Sequence, residues 1–414
     1  MRNNSTTTVL LCLGAFTGAA PCLAGGATFQ LLTTQDAAAV TVDEFGRTLV
    51  LAIDPGAAYI YEDGAYNFVG AGNAFGLSAD GNFVAGTISD TEGVQEAARG
   101  VVSGGWTPIG YVDQCDFSRS SGYGVSGDGS TVVGLAWEGC SARAFAWTQQ
   151  TGLQTLENLA NGNARASAVS VDGEVAAGFT QGSFSRSPAA WITSTGLAHP
   201  TYPFDPDVQG ELGAVSSDGS IIAGQYYSET ATPNTYYPLA FYWTESDGVV
   251  ILPEVTGYEG GMVLGVSDDR RTFAGISGTI LTGRTAAIWR AEWGAVDLKQ
   301  KLIELGANVP ENFLPQVARG LTTDGQTVVG WGILFPDMPD EQAVIRAFVA
   351  TLPPAEIQPC PADFNGDGAV GFADLTQLLS AWGACPGCDE DLDDNDQVGF
   401  SDLTTLLNAW GPCP

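Results

Sequence analysis

One phrase recurs along most of this chain, most clearly as Ala168-Val169-Ser170-Val171-Asp172-Gly173 with Gly178 five residues further on. Its copies run from Phe75 to Gly81, Tyr123 to Gly129, Ser167 to Gly173, Gly213 to Gly219, Leu264 to Arg270 and Gly320 to Gly325, and a glycine follows each at the same offset: Gly86, Gly134, Gly178, Gly224, Gly275 and Gly330. An Asp-Gly pair between apolar runs suits a two-residue hairpin turn of the primed type, whose central residues both take positive φ. The later glycine marks a place where another backbone comes close. A degenerate opening unit, Val40 to Leu51 followed by Ala58-Tyr59-Ile60-Tyr61, brings the units to seven.

Each hairpin is followed by a strand in which small residues precede an aromatic, as in Ala144-Phe145-Ala146-Trp147, Ala189-Ala190-Trp191, Ala240-Phe241-Tyr242-Trp243, Ala286-Ala287-Ile288-Trp289 and Ala347-Phe348-Val349. A fourth apolar stretch then appears, as in Leu153 to Leu156 or Val249 to Leu252. Four strands at a period of about 35 to 55 residues make a propeller blade. The last unit stops at its third strand, while the chain opens on an orphan strand, Thr28-Phe29-Gln30-Leu31-Leu32. Lending that strand to the last blade closes the ring and removes the sheet edges. The expected fold is mainly β: a seven-bladed β-propeller over 25–352, followed by a linker at 353–359 and a small α-helical domain with a duplicated calcium loop at 360–414. An open β-solenoid is the alternative.

The repeated phrase and its Ala-Phe-x-Trp strand resemble the HAF family of extracellular repeats. That resemblance implies a secreted repeat protein and no particular reaction. Two units depart from it: Phe45-Gly46 replaces Asp-Gly in the first, with Leu51 at the later glycine's place, and Asp269-Arg270 replaces it in the sixth. An aspartate recurring once per blade reads as a turn former, and the Trp and Phe positions read as core before sugar platforms.

A formal net charge of -32, with only 15 Lys+Arg, repels phosphate backbones, so nucleic-acid binding lacks its usual driving term. A lone histidine, His199, leaves neither a His-rich zinc site nor a Ser-His-Asp relay. Arg2, the apolar run Val9 to Phe16 and the small-residue end Cys22-Leu23-Ala24 read as a secretory signal over 1–24, too short to span a bilayer. Its removal takes Cys12 and Cys22 and leaves an even set for an oxidising compartment: Cys115, Cys140, Cys360, Cys385, Cys388 and Cys413. Cys115 and Cys140 flank one blade's first hairpin and are read as a disulfide.

Beyond Arg346 there is no Lys or Arg, and two copies of one unit follow, Asp363 to Asp374 and Asp391 to Asp402, each expected to run into a helix, Leu375 to Trp382 and Leu403 to Trp410. Calcium takes six to eight hard oxygens, and a twelve-residue loop supplies them from positions 1, 3, 5, 7 and 12. The first loop offers Asp363, Asn365, Asp367, the Ala369 carbonyl and Asp374; the second offers Asp391, Asp393, Asn395, the Gln397 carbonyl and Asp402. Two Ca2+ ions are therefore expected. Gly368 suits the sharp turn at position 6, and Asp396 tolerates it. Leu375, Leu378, Leu379, Trp382 and their mates Leu403, Leu406, Leu407, Trp410 are read as the unit's own small core before a partner-binding face. A loop followed by a single helix, duplicated, resembles the type I dockerin module, and the resemblance implies a cohesin-like partner. A pseudo-twofold between the halves matches Cys360 with Cys413 and Cys385 with Cys388; other pairings, or metal binding by Cys385-x-x-Cys388, stay open.

Function on a propeller gathers in loops at one end of the channel. The longest insertions carry Asp205, Asp207, Glu211, Glu229, Asp337, Asp340 and Glu341, which read as solvated acidic loops before an acid/base pair. The expected protein is a secreted or cell-surface, non-membrane-spanning binding protein whose propeller takes a glycan or surface ligand. The alternative is a polysaccharide-degrading enzyme, a glycoside hydrolase or lyase, and a purely structural envelope role also fits.

Overall fold

The computed structural model describes residues 26–32, 36–53, 56–102, 104–182, 185–227, 237–279, 283–336, 342–355, 360–365 and 369–412. The proposed signal segment, Asp367, Gly368, Cys413 and the loop carboxylates Glu229, Asp337, Asp340 and Glu341 lie outside them. Seven antiparallel sheets follow one another as the blades of a propeller, and a small helical unit comes after the last. The first strand of each blade lines the central channel: Ala37–Val42, Asn73–Leu77, Ser120–Val125, Ala164–Val169, Gln209–Val215, Gly261–Val266 and Phe313–Leu321. Blade 4 has three strands, its outer edge reduced to a bridge between Trp191 and Ala198. Strand Thr28–Leu31 completes blade 7, pairing antiparallel with Val344–Thr351, so the chain's start closes the ring.

The turn inside each blade differs from the expected primed hairpin. Only the glycine takes positive φ (Gly81 67°, Gly129 70°, Gly173 80°, Gly219 75°, Gly325 69°), and the aspartate before it does not. The reason is a side-chain network that makes a longer turn. Ser78 Oγ donates to Asp80 Oδ1 at 2.6 Å and accepts the Phe83 amide at 2.9 Å, while Asp80 Oδ1 also accepts the Asn82 amide. The same triangle recurs at Ser126–Asp128, Ser170–Asp172, Ser216–Asp218, Ser267–Asp269 and Thr322–Asp324. These hydroxyls are buried, so each needs such partners to offset its lost hydration. At the divergent sixth turn Arg270 itself takes φ 62°, a conformation that costs a non-glycine residue about 1 kcal/mol. In blade 1 the buried Asp43 replaces the hydroxyl residue and accepts the Phe45 and Arg47 amides. That turn is one residue shorter, so Val50, and not Leu51, stands opposite Ala39 where the later glycine belongs.

The later glycines face a β-bulge. Gly134 lies opposite Gly122, where the register of the first strand slips, and a Cβ on it would stand 2.0 Å from the Ser121 carbonyl oxygen. Gly86, Gly178, Gly224, Gly275 and Gly330 meet the equivalent carbonyl of their own blade at 2.2, 2.0, 2.1, 2.0 and 1.9 Å. Between blades, the strands' small and aromatic residues interleave: Val133 and Ala144 of blade 3 pack with Ala166, Ala176 and Trp191 of blade 4 in one buried cluster. The indole N–H groups of Trp191 and Trp289 donate to the Glu157 and Pro253 carbonyls, tying each blade to the preceding connection.

A second closure runs through the turns. Glu44 N donates to Ala79 O, Asp80 N to Gly127 O, Gly127 N to Val171 O, Asp172 N to Ser217 O and Asp268 N to Thr323 O. Ser217 N donates to Asp268 Oδ1, and Thr323 Oγ1 donates to Glu44 Oε2, so every blade is bonded to the next around the mouth. Helix α1, Leu298–Glu304, was not expected. Asp297 caps it by accepting the Gln300 amide, and its buried Leu298 and Leu302 fill the gap between blades 6 and 7. Cys115 and Cys140 are bonded. Among the described residues no helix is long and apolar enough to cross a membrane.

Two substitutions test this account. Ser170→Ala strands the buried Val175 amide and should cost about 1–3 kcal/mol. Gly178→Ala should cost a similar amount by overpacking against Arg165 O, whereas Gly182→Ala, with nothing within 4 Å, should be neutral in denaturant unfolding.

Candidate functional site

The C-terminal unit contains helices α2, Phe372–Ser380, and α3, Phe400–Asn408, each preceded by one of the acidic loops. Two short antiparallel pairings cross between the halves: Ala369–Val370 with Gly411–Pro412, and Gly383–Ala384 with Gln397–Val398. Position 12 of each loop organises its half. Asp402 Oδ1 accepts the Leu392 and Asp393 amides at 2.8 and 3.3 Å, and Oδ2 accepts the Gly399 amide at 2.7 Å. Asp374 does the same with Phe364, Asn365 and Gly371. Burial of these carboxylates opposes ionisation, but the amides together outweigh it and hold both pKa values below the usual range.

In the second loop the carboxylate oxygens of Asp391, Asp393 and Asp402 lie within 4.8 Å of one another. Calcium–oxygen distances of about 2.3–2.6 Å put two ligands of one ion at most about 5 Å apart, so this donor set fits the ion. Asp394 and Asp396 take positive φ, 56° and 64°, which winds the loop inward. Asp391 accepts the Asn395 and Asp396 amides and thereby fixes the loop's middle. In the first loop Asp363 and Asn365 are described with further partners, while Asp367 is outside the described residues.

Cys385 is bonded to Cys388, so these sulfurs are not a metal site; Cys360 is also in a disulfide. The expected small core is only half right. Leu378 and Leu406 are buried with Ala362, Val370 and Val398, but Leu379, Trp382, Leu407 and Trp410 are exposed. Phe372 and Phe400, each 79% exposed, sit edge-on to Trp410 and Trp382 at 5.1 and 5.2 Å. A helix of nine residues has too few turns to bury every apolar position against one partner helix, and the surplus forms a twofold-like apolar face.

The propeller's channel is built from the bulges. Each innermost strand leaves one residue unpaired at the equivalent bulge (blade 7 has a second slip, at Gln316), and these seven residues, Val40, Phe75, Tyr123, Ser167, Gly213, Leu264 and Arg319, all line one cavity of about 180 Å³. A bulge re-aims a side chain out of the sheet's alternation, which is how the collar forms. Two residues on, Val42, Leu77, Val125, Val169, Val215, Val266 and Leu321 make an apolar ring, and beyond it Glu44, Asp268 and Thr323 lie at the turn-end mouth. Glu44 is shifted up, by burial first and then by neighbouring carboxylates, against the bond from Thr323.

Of the loop carboxylates singled out, Glu211 is engaged by Arg186 at 2.5 Å and Arg165 at 3.7 Å, and Asp205 caps its own loop by accepting the Asp207 amide. His199 packs edge-on to Trp243, and its Nδ1 accepts the Tyr202 amide, a structural role. A larger open cleft of about 1160 Å³ outside the channel includes Asp218, Tyr242, Trp243 and Trp289, but its Arg270 and Asp247 neutralise each other at 2.7 Å. The collar with Arg319 was missed by sequence reasoning. The signal was present, since in blades 2 to 7 the collar residue stands directly before the glycine or alanine at which pairing resumes, yet nothing in one strand says it points into a channel.

No family model and no curated protein matches this chain. Among solved structures it is similar to the β-propeller domain of the Trilobed protease from Pyrococcus furiosus, 11% identical over 79% of this chain and 94% of that one, with a TM-score of 0.48. It is also similar to oligogalacturonate lyase from Vibrio parahaemolyticus, 12% identical over 78% and 93%, TM-score 0.48. The chain spans about half of TolB from Acinetobacter baumannii, 16% identical over 51% of this chain and 52% of that one, TM-score 0.38. Likenesses this distant say nothing of activity, and the blade count stands on the seven sheets themselves.

The depressed pKa values of Asp374 and Asp402 set a sign for acid stability. Their contribution is complete above the unfolded carboxylate value of about 3.9 and is lost as pH falls through that value towards the lower folded one. Protection factors of the α3 amides, corrected for the pH dependence of intrinsic exchange, should therefore fall on acidification. Asp402→Asn should already exchange faster at neutral pH and show a flatter acid limb, while a variant at the exposed Asp389 should track the parent.

Proposed function

We propose that this chain is a secreted, non-catalytic binding protein: a propeller of HAF-type repeats held in a larger extracellular assembly by a dockerin-like tail. The tail binds two Ca2+ ions and presents its helices to a cohesin-like partner. The observation that carries this reading is the convergence of Asp391, Asp393 and Asp402 within one ion's reach, directly before a helix whose outer face is apolar and unpaired. Calcium would be held in the second loop by these carboxylates with Asn395 and the Gln397 carbonyl, and in the first by Asp363, Asn365, Asp367, the Ala369 carbonyl and Asp374. When bound it supplies charge neutralisation to loops that carry no basic residue at all. Six exposed aromatic and leucine side chains, Phe372, Leu379, Trp382, Phe400, Leu407 and Trp410, are then the contact surface. The even cysteine set and the acidic, lysine-poor composition suit an oxidising extracellular setting.

The test uses the full-length protein as bait against extracellular proteins of its source, in excess calcium and again in chelator. A partner retained only with calcium, and lost from a Phe372→Ala/Phe400→Ala variant, is the expected result. Retention of nothing, or equal retention in chelator, overturns the docking role. Calorimetric calcium titration should show two binding events in the parent and one in Asp391→Ala.

A further inference from the structure

Six of the seven collar positions carry an apolar, aromatic, hydroxyl or hydrogen side chain, and the seventh carries Arg319. It arises from blade 7 and shares the channel lining with Phe75 and Tyr123 of blades 2 and 3, and the charges acting on it through space are Arg165 of blade 4 and Glu211 of blade 5. Arg319 is half-buried and lines the channel. Among the described residues its guanidinium has no hydrogen-bond acceptor and no carboxylate within ion-pair distance. Arginines elsewhere at the strand ends do pair: Arg119 with Asp90, Arg143 with Glu138, Arg346 with Asp36. Burial first, and the Arg165 charge second, push the Arg319 guanidinium down from its ordinary value.

The surroundings do not neutralise it. Glu211 is already bonded to Arg186 and lies 3.7 Å from Arg165, and it acts on Arg319 only through space. Arg165 is further fixed by donating to Ser167 Oγ at 3.0 Å and by lying 4.7 Å over the Tyr123 ring, which stacks on Phe75 at 5.0 Å. A half-buried cation with no carboxylate beside it has lost part of its hydration without an ion pair in exchange, and an anion that meets it supplies one. In a chain of net charge -32, keeping such a cation here works against the overall field and needs a local reason.

We propose that the collar is a binding site for a small monocarboxylate with a ring-shaped body, of the chemical class of a single uronic-acid residue. The planar fork of Arg319 matches a carboxylate through two parallel bonds. Arg165 adds charge beside it, the Phe75–Tyr123 pair offers an aromatic face for the ring, and the Ser167 hydroxyl offers a polar contact. The cavity holds about six waters' volume, enough for one ring and too little for a chain of them. A dianion such as phosphate is disfavoured by the surrounding negative field, and a neutral sugar leaves Arg319 unpaired. The apolar ring lies on the same cavity, between the collar and the turn-end mouth. This site is independent of the tail and of its calcium, and its test leaves both in place.

The experiment is titration of the full-length protein, in calcium, with glucuronate, glucose and inorganic phosphate, read by calorimetry and by ligand NMR. Glucuronate should bind, with glucose and phosphate weaker by about tenfold or more. Arg319→Met should weaken glucuronate by about tenfold or more, Arg319→Lys by less, and Arg319→Met should leave the ligand-free unfolding midpoint unchanged or higher. Equal binding of glucuronate and glucose, preference for phosphate, no binding of glucuronate, or undiminished binding by Arg319→Met each overturns the proposal. A lower ligand-free midpoint in Arg319→Met would assign the arginine a structural role instead and overturn it as well.

Discussion

The ring depends on a buried hydroxyl. In six of the seven blades a serine or threonine side chain, shut away from water at the end of the innermost strand, donates to the turn aspartate and accepts the amide that starts the next strand. That small triangle holds each turn in one shape, and the shape decides where its neighbouring amides point. They point sideways, into the turn of the next blade, so the hydrogen bonds travel from Glu44 through Asp80, Gly127, Asp172, Ser217 and Asp268 to Thr323 and back to Glu44. Strand Thr28–Leu31 closes the same circle at the rim, opposite in radius to the turns.

The bulge is the second constraint, and it links packing to function. Slipping one residue in every innermost strand brings the preceding carbonyl against the neighbouring strand, which is why glycine stands there in six blades. The same slip throws one side chain per blade into the channel. A feature needed to curve and pack the sheets thus creates a seven-membered collar as a by-product, open to chemical variation because its members bear no load in the blade's own core. Arg319 is where that freedom has been used.

Much of this was legible before any coordinates. The turn phrase, the small-then-aromatic third strand and the orphan first strand were each local patterns, and local patterns repeated seven times define a blade and its closure. The acidic loops were legible for the same reason: ligand spacing within twelve residues is a property of sequence. Less of the turn could be read, because Asp-Gly serves several turn types and the serine two residues earlier reveals its part only when it is seen to be buried. Blade 1 misled by one residue, since Asp43 replaces the serine and shortens the turn. In the tail, helical spacing marked Leu378 and Trp382 alike as apolar, and only the packing of α2 on α3 separated the buried one from the exposed one.

What the sequence by itself determined, then, is periodicity and what periodicity implies: a mainly β ring of blades, closed by its own first strand, ahead of a duplicated acidic loop-and-helix unit. Tertiary structure decided everything that requires residues from different blades to meet. Arg319, Phe75 and Tyr123 lie in three separate repeats, and no spacing rule joins them; they line one channel because seven strands converge on one axis and their bulges face it. The chain encodes each blade locally, but the channel exists only once the ring has closed.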